Sequence, residues 1–157
     1  MTRYVEDMLK ESGTIGGART PATERLFDTR DDAVRASEED RVRFHRLVAK
    51  GLYLGKRVRP DCMTALAFLA TQVTRCTVDD LVKLEGLLKY INATKDRGIV
   101  FAPGKQGINV SVLIDAAYGV HPDGKSHTGS CVVVGEMGAV HSKSAKQQIV
   151  TKSSTEE

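Results

Sequence analysis

The chain has 157 residues, of which 27% are charged and 5% aromatic, with no tryptophan and a formal net charge of +3. That length suits one ordinary domain or two small ones, and so slight a positive excess does not by itself indicate a nucleic-acid partner. No apolar run reaches the ~20 residues of a membrane span. The charged, amphipathic start Met1–Lys10 lacks the core of a signal peptide, and Cys62, Cys76 and Cys131 are too few and too scattered for a disulfide framework. The expectation is an intracellular protein, of cytoplasm or nucleus, with reduced thiols and no membrane partner.

Residues 3–11 carry Val5, Met8 and Leu9 at helical spacing, and Gly13 with Gly16-Gly17 ends that short helix. From Gly16 to Ser37 the chain is polar, holds Thr20-Pro21 and only one apolar pair, Leu26-Phe27, and reads as an extended, loosely held connector. A helix over 38–57 follows, with acids in its first turn and Phe44, Leu47, Val48 and Leu54 on one stripe. Arg59-Pro60 breaks it, because the residue before proline is pushed out of helical geometry. A second helix runs from Asp61 through Met63, Leu66, Ala67 and Ala70 to Val73. A third starts at Thr77, capped with Asp80 in a variant of the capping box, presents Leu81, Leu84, Leu88 and Ile91, and ends near Asn92-Ala93-Thr94.

After Gly98 the period becomes strand-like. Ile99-Val100-Phe101 is a short extended run closed by Pro103-Gly104. Val110–Ala116 is a strand with Val110, Val112 and Ile114 on one face, Thr128–Val134 a second, and Ala139–Ser142 a short third. Ser154 and Glu157 have capping-box spacing, so a further helix is expected to begin there. The fold class expected is α+β: a connector with a short helix (1–37), a helical segment of three helices (38–97), then a mixed sheet (98–157).

Charge is unevenly spread. Glu24–Asp40 leans acidic, whereas Arg41–Pro60 holds Arg41, Arg43, Arg46, Lys50, Lys56, Arg57 and Arg59 and no acid. Such a run suits contact with a phosphate backbone, where binding is chiefly electrostatic and salt-dependent. Equally, it suits a solvated helix face balanced by the acids upstream. The strand Val110–Ile114 ends on Asp115, a position that serves either as a turn residue or as a ligand for a hard cation.

Two blocks resemble the C-terminal part of a copia-type retrotransposon Pol polyprotein. Phe44–Lys50, Leu52-Tyr53-Leu54, Arg57–Asp61, Phe68–Thr71 and Leu87–Thr94 are similar to the helical thumb or connection segment after the polymerase palm of its reverse transcriptase. Ile114–His121, Ser126–Gly129, Ser142–Gln147 and Ser153–Glu156 are similar to the first half of its RNase H domain. The resemblance, looser back to Thr20-Pro21-Ala22, touches most of the chain and rests on the order and spacing of the blocks.

That resemblance implies a truncated RNase H-like mixed sheet and, for the parent, RNA-directed DNA synthesis with magnesium-dependent cleavage of RNA in RNA–DNA hybrids. It places Asp115 as the first catalytic, metal-binding carboxylate and makes Glu157 the nearest counterpart of the second. The family string has an alanine between two glutamates, whereas Glu156-Glu157 are adjacent here, so the register of Glu157 departs by one residue. The family's later aspartates have no counterpart in this sequence. The implied cofactor is Mg2+ in the intact parent, with none held tightly by this chain. The implied partner is an RNA–DNA hybrid or other nucleic acid, bound through the basic segment 41–59.

The rival reading is a non-catalytic nucleic-acid- or protein-binding module built on the basic helical block 38–94; a third is a functionless remnant with an exposed strand edge. Tyr4-Val5-Glu6-Asp7 only superficially matches the polymerase Tyr-X-Asp-Asp box and continues a helix. His45, His121, His127 and His141 fit no common zinc spacing. Asn92-Ala93-Thr94 and Asn109-Val110-Ser111 match the glycosylation pattern without a secretory context, and no Walker-type loop occurs.

Overall fold

The structure, a computed structural model, describes residues 1–101, 109–136 and 138–150. Among them the chain forms a helical layer and an open three-stranded antiparallel sheet, a mixed α+β arrangement. Among the described residues no helix is long and apolar enough to cross a membrane. Helix α1 spans Thr2–Ser12 and stops at Gly13, whose left-handed backbone (φ 66°) returns its N–H to Leu9 and Lys10 carbonyls.

Helix α2, Glu38–Arg57, has the bounds its sequence predicts. The Ser37 hydroxyl accepts from the Asp40 N–H at 3.1 Å, three acids lie in the first turn, and Lys56 and Arg57 lie in the last, all favourable to the helix dipole. Its buried stripe is Phe44, Leu47, Val48, Gly51, Leu54 and Gly55. The two glycines matter because α3 crosses there: a Cβ on Gly55 would sit 2.8 Å from the Met63 sulfur, and one on Gly51 would strike Leu66.

The expected second helix is divided. Pro60–Cys62 forms one 3-10 turn, and α3 runs only over Met63–Thr71, giving way at Gln72 rather than reaching Val73. Helix α4, Val78–Ala93, opens with the full capping box: Thr77 accepts from Asp80 N–H, and the Asp80 carboxylate accepts from Thr77 N–H at 3.0 Å. The core joins α1 to α4 through Val5, Met8, Phe44, Leu47, Leu54, Leu66, Phe68, Leu69, Leu87 and Ile91.

The connector is more firmly held than its composition predicts. Leu26 and Ala36 are buried, Phe27 stands edge-on to Phe68 at 5.4 Å, and an antiparallel bridge pairs Arg35 with Thr77. The bridge is made by Ala36 N–H to Cys76 O at 3.1 Å and Val78 N–H to Val34 O at 2.9 Å. A stretch with few apolar residues is thus fixed by backbone bonds, which leave no mark in composition.

Strands β1 (Val110–Ala117), β2 (His127–Val134) and β3 (Ala139–Lys146) pair in that order. β3 runs four residues beyond the predicted Ser142, because Ser144, Ala145 and Lys146 continue the ladder opposite Gly129, Thr128 and His127. Ile99-Val100-Phe101 forms no strand; Val100 O accepts one bond from Gly138 N–H at 2.9 Å. The helices lie against β3, so β1 is left outermost. Val112, Leu113 and Ile114 are 57%, 64% and 71% exposed, so β1 buries little apolar surface on either face. The helix expected from Ser154 falls outside the described residues.

Replacing Thr77 by alanine removes the cap of α4 and is expected to lower the unfolding free energy by about 1 kcal/mol, measured by urea titration. Thr77→Ser keeps the hydroxyl and is expected to stay close to the parent.

Candidate functional site

Between the sheet and the start of α3 lies a cleft of about 470 Å³. Register and strand alternation build its floor: Leu113 stands opposite Cys131 and Cys131 opposite Ser142, while Asp115 stands opposite Gly129 and Gly129 opposite Ser144. All six therefore project to one face, and Pro60, Met63 and Thr64 form the facing wall. Asp115 is exposed in this cleft, with the small Gly129 beside it leaving space over the strand.

The second expected carboxylate, Glu157, lies outside the described residues. Among the described residues no three His, Cys, Asp or Glu side chains are gathered so as to hold a metal ion. Magnesium requires several hard oxygen ligands in near-octahedral order. Asp115 alone, flanked by serines, a glycine and a thiol, does not meet that requirement, and no catalytic step through magnesium follows from these residues.

The basic segment is dispersed rather than gathered. Arg41 pairs with Glu38 at 2.7 Å, one turn earlier on the same helix. Arg43 donates to the Ser12 carbonyl at the end of α1. Arg46 meets Glu11 at 2.6 Å, and Lys50 reaches the other oxygen of the same carboxylate. The Lys50 hydrogen bond, helped by Arg46, holds Glu11 below the usual carboxylate range. Arg43, Arg46 and Lys50 therefore tie α2 to α1. Arg57 lies over the Tyr53 ring, 4.3 Å from its centre, and Lys56 is exposed and makes no ion pair among the described residues.

Arg59 is 1% exposed. Its guanidinium donates to the Asp61 carboxylate at 2.8 Å and 3.0 Å, to the Thr94 carbonyl at 3.1 Å and to the Thr94 hydroxyl at 2.7 Å. The Tyr90 hydroxyl adds a bond to Asp61 at 2.8 Å. Burial alone would raise the Asp61 pKa, but these bonds from Arg59 and Tyr90 outweigh it and hold the carboxyl below its ordinary value. The expected phosphate contact at Arg59 is not open to a duplex, because every direction of its fork faces into the protein.

The residues most tightly brought together near the cleft are ones the sequence reading set aside. His121 and His127, both buried, meet at 3.0 Å through Nε2 and Nδ1, and His127 Nε2 lies 2.7 Å from the Ser144 hydroxyl. Metal-site spacing is the wrong test for them. The useful signal is their position on either side of the glycine-containing turn Pro122–Ser126, which folds back and sets them face to face. His45 and His141 are exposed and take no part.

Comparison of the chain with family models, with curated proteins and with solved structures found no match.

Arg59→Ala is expected to lower the unfolding free energy by about 2–3 kcal/mol, below the full range for a buried pair because Asp61 is partly solvated. Chemical denaturation measures that loss, and the affinity of the folded variant for an RNA–DNA hybrid is expected to equal that of the parent.

Proposed function

We propose that this chain is a segment of a copia-type reverse transcriptase–RNase H polyprotein, a helical thumb or connection piece leading into the opening strands of an RNase H-like domain. The observation that carries the reading is the placement of Asp115 near the C-terminal end of the first of three consecutive antiparallel strands, with its side chain on the face that floors a cleft. The ordered blocks of sequence likeness run through the same elements: the first through α2, α3 and α4, the second through β1, β2 and β3. The parental chemistry is RNA-templated DNA synthesis with cleavage of the RNA strand of the hybrid.

In that chemistry magnesium would polarise the scissile phosphate, and a pair of ions would need carboxylates on both sides, about 3.5–4 Å apart in ion spacing. Asp115 is one such ligand. Among the described residues its neighbours supply hydroxyls and a thiol, and cleavage by this chain alone is not expected. Its contribution is scaffolding: the helical layer sets the sheet, and the sheet sets Asp115.

The rival reading, a binding module on the basic helix, has less to stand on. Arg41, Arg46 and Lys50 are matched to carboxylates and Arg59 is enclosed, leaving Arg43, Lys56 and Arg57 outside any carboxylate pair among the described residues. Of these, Arg43 is bonded to the Ser12 carbonyl and Arg57 rests on Tyr53, so unless the surface pairs open the salt dependence is shallow.

Incubated with a labelled RNA–DNA hybrid and magnesium or manganese, the purified chain is expected to release no product. Magnesium-dependent cleavage that disappears in Asp115→Asn would overturn the proposed inactivity. Family origin is tested separately by the genomic sequence around the reading frame: in-frame polymerase palm motifs upstream and further acidic motifs downstream support it. Unrelated coding sequence on both sides contradicts it. Steeply salt-dependent hybrid binding that is lost in Lys56→Ala/Arg57→Ala would favour the rival.

A further inference from the structure

His121 and His127 are 3% and 5% exposed, and neither contributes to the cleft chemistry described above. From them a chain of polar contacts crosses between the layers. His121 Nε2 meets His127 Nδ1 at 3.0 Å, His127 Nε2 meets Ser144 Oγ on β3 at 2.7 Å, and that hydroxyl donates to Thr64 Oγ1 on α3 at 3.3 Å. Aromatic rings close the sides. Phe27 of the connector lies 5.0 Å from His121 and 5.5 Å from His127, and Phe68 of α3 stacks on His121 at 6.1 Å. The hairpin, β3, α3 and the connector thus meet at two imidazoles.

We propose that this histidine pair is an acid-sensitive catch that fastens the sheet to the helical layer and loosens as the rings take up protons. The bond between the rings needs one nitrogen as donor and the other as acceptor. A first extra proton can be held on His127, which then donates both to His121 and to Ser144. A second sets N–H against N–H and cannot be held in this geometry.

The charges facing the pair give a proton little help. Lys146 on β3 repels a charged His121, and Asp123 in the hairpin attracts it but is itself held by Lys146 at 2.7 Å, with Lys125 at 3.9 Å. α3 and the connector present the Phe68 and Phe27 rings and the Thr64 hydroxyl, and Lys83 of α4 lies over the far ring, 4.7 Å from the centre of Phe68. Burial pushes His121 down to about 4, with Lys146 and His127 adding to the shift and Asp123 opposing it, and burial lowers His127 as well. Once released, the rings titrate near the ordinary 6.5. A folded pKa below the released one means the open state binds more protons. The catch therefore holds fully above pH 6.5 and weakens as pH falls from there toward about 4.

Amide hydrogen exchange at about pH 7.5 and about pH 5, corrected for intrinsic rates, reads this directly, and opening of β2 and β3 is expected to rise at least about tenfold while α4 stays protected. His121→Phe keeps a ring among the aromatics but does not titrate, and it is expected to remove most of the acid response. NMR titration of the imidazoles in the unchanged chain is expected to place both below the ordinary value. The proposal is overturned by an equal acid response in β3 and α4, by either ring titrating at or above that value, or by a folded His121→Phe chain as acid-sensitive as the parent. If the variant does not fold, the imidazole titration decides.

Discussion

The buried guanidinium of Arg59 is the point on which the helical layer turns. It sits where α2 has ended and proline has redirected the chain, and it binds the Asp61 carboxylate on one side and both oxygens of Thr94 on the other. The end of α2, the turn before α3 and the end of α4 are thereby held to one planar group. Arginine suits this place because five donors in a fixed fork can satisfy several acceptors at once, which a lysine cannot. Desolvating the charge is costly, and only this full set of partners makes it tolerable. The turn so fixed carries Pro60, Met63 and Thr64, the wall of the cleft and the α3 end of the histidine relay. A residue that looks like a surface cation in the sequence is thus built into the turn that faces the sheet.

The sheet leans on this layer unevenly. β3 lies against α3, β2 is half covered, and β1 is open, with Val112, Leu113 and Ile114 more than half exposed. The two faces of β1 serve different ends: Leu113 and Asp115 look into the cleft, while Val112 and Ile114 look away from the helices. What anchors the sheet is the polar seam at its His127 end, together with the aromatic rings of Phe27 and Phe68. Polar anchoring of this kind is more specific in geometry than apolar contact, and more exposed to changes in protonation.

Local rules carried most of the helical layer. Ser37 before three acids, Arg59 before proline, and Thr77 three residues ahead of Asp80 each mark a boundary through backbone chemistry, and each boundary lies where those residues put it. Periodicity found β1 and β2 for the same reason. It missed the end of β3, since Ser144-Ala145-Lys146 has no apolar alternation and is extended only because Thr128 and His127 offer ladder partners. It also missed the hold on the connector, which is made by backbone bonds to Cys76 and Val78 across a distance no local pattern can encode. Of the candidate site, the presence of Asp115 on its strand was legible, although the strand runs on to Ala117 instead of ending there; its cleft was not, because the opposing wall comes from a turn some fifty residues earlier. The roles of the arginines were legible least of all. A run of cations without acids says nothing about the acids that folding brings to it, and Glu11 arrives from a different helix.

That last point bears on how the charge of this protein is used. A basic helix offered to a nucleic acid gains by releasing counterions, and it does so only with cations that are free to approach phosphates. Here Glu11 takes Arg46 and Lys50, Glu38 takes Arg41, and Asp61 with Thr94 takes Arg59. The surface pairs are solvent-screened and can open at little cost. The Arg59 pairing opens less readily, because the guanidinium is buried and would be left without its partners. The positive charge of 41–59 thus divides into a part that could be lent to a phosphate backbone and a part committed to shape. The committed part fixes the turn that carries Pro60, Met63 and Thr64 opposite the sheet, whereas Asp115 itself is held by its ladder to Gly129.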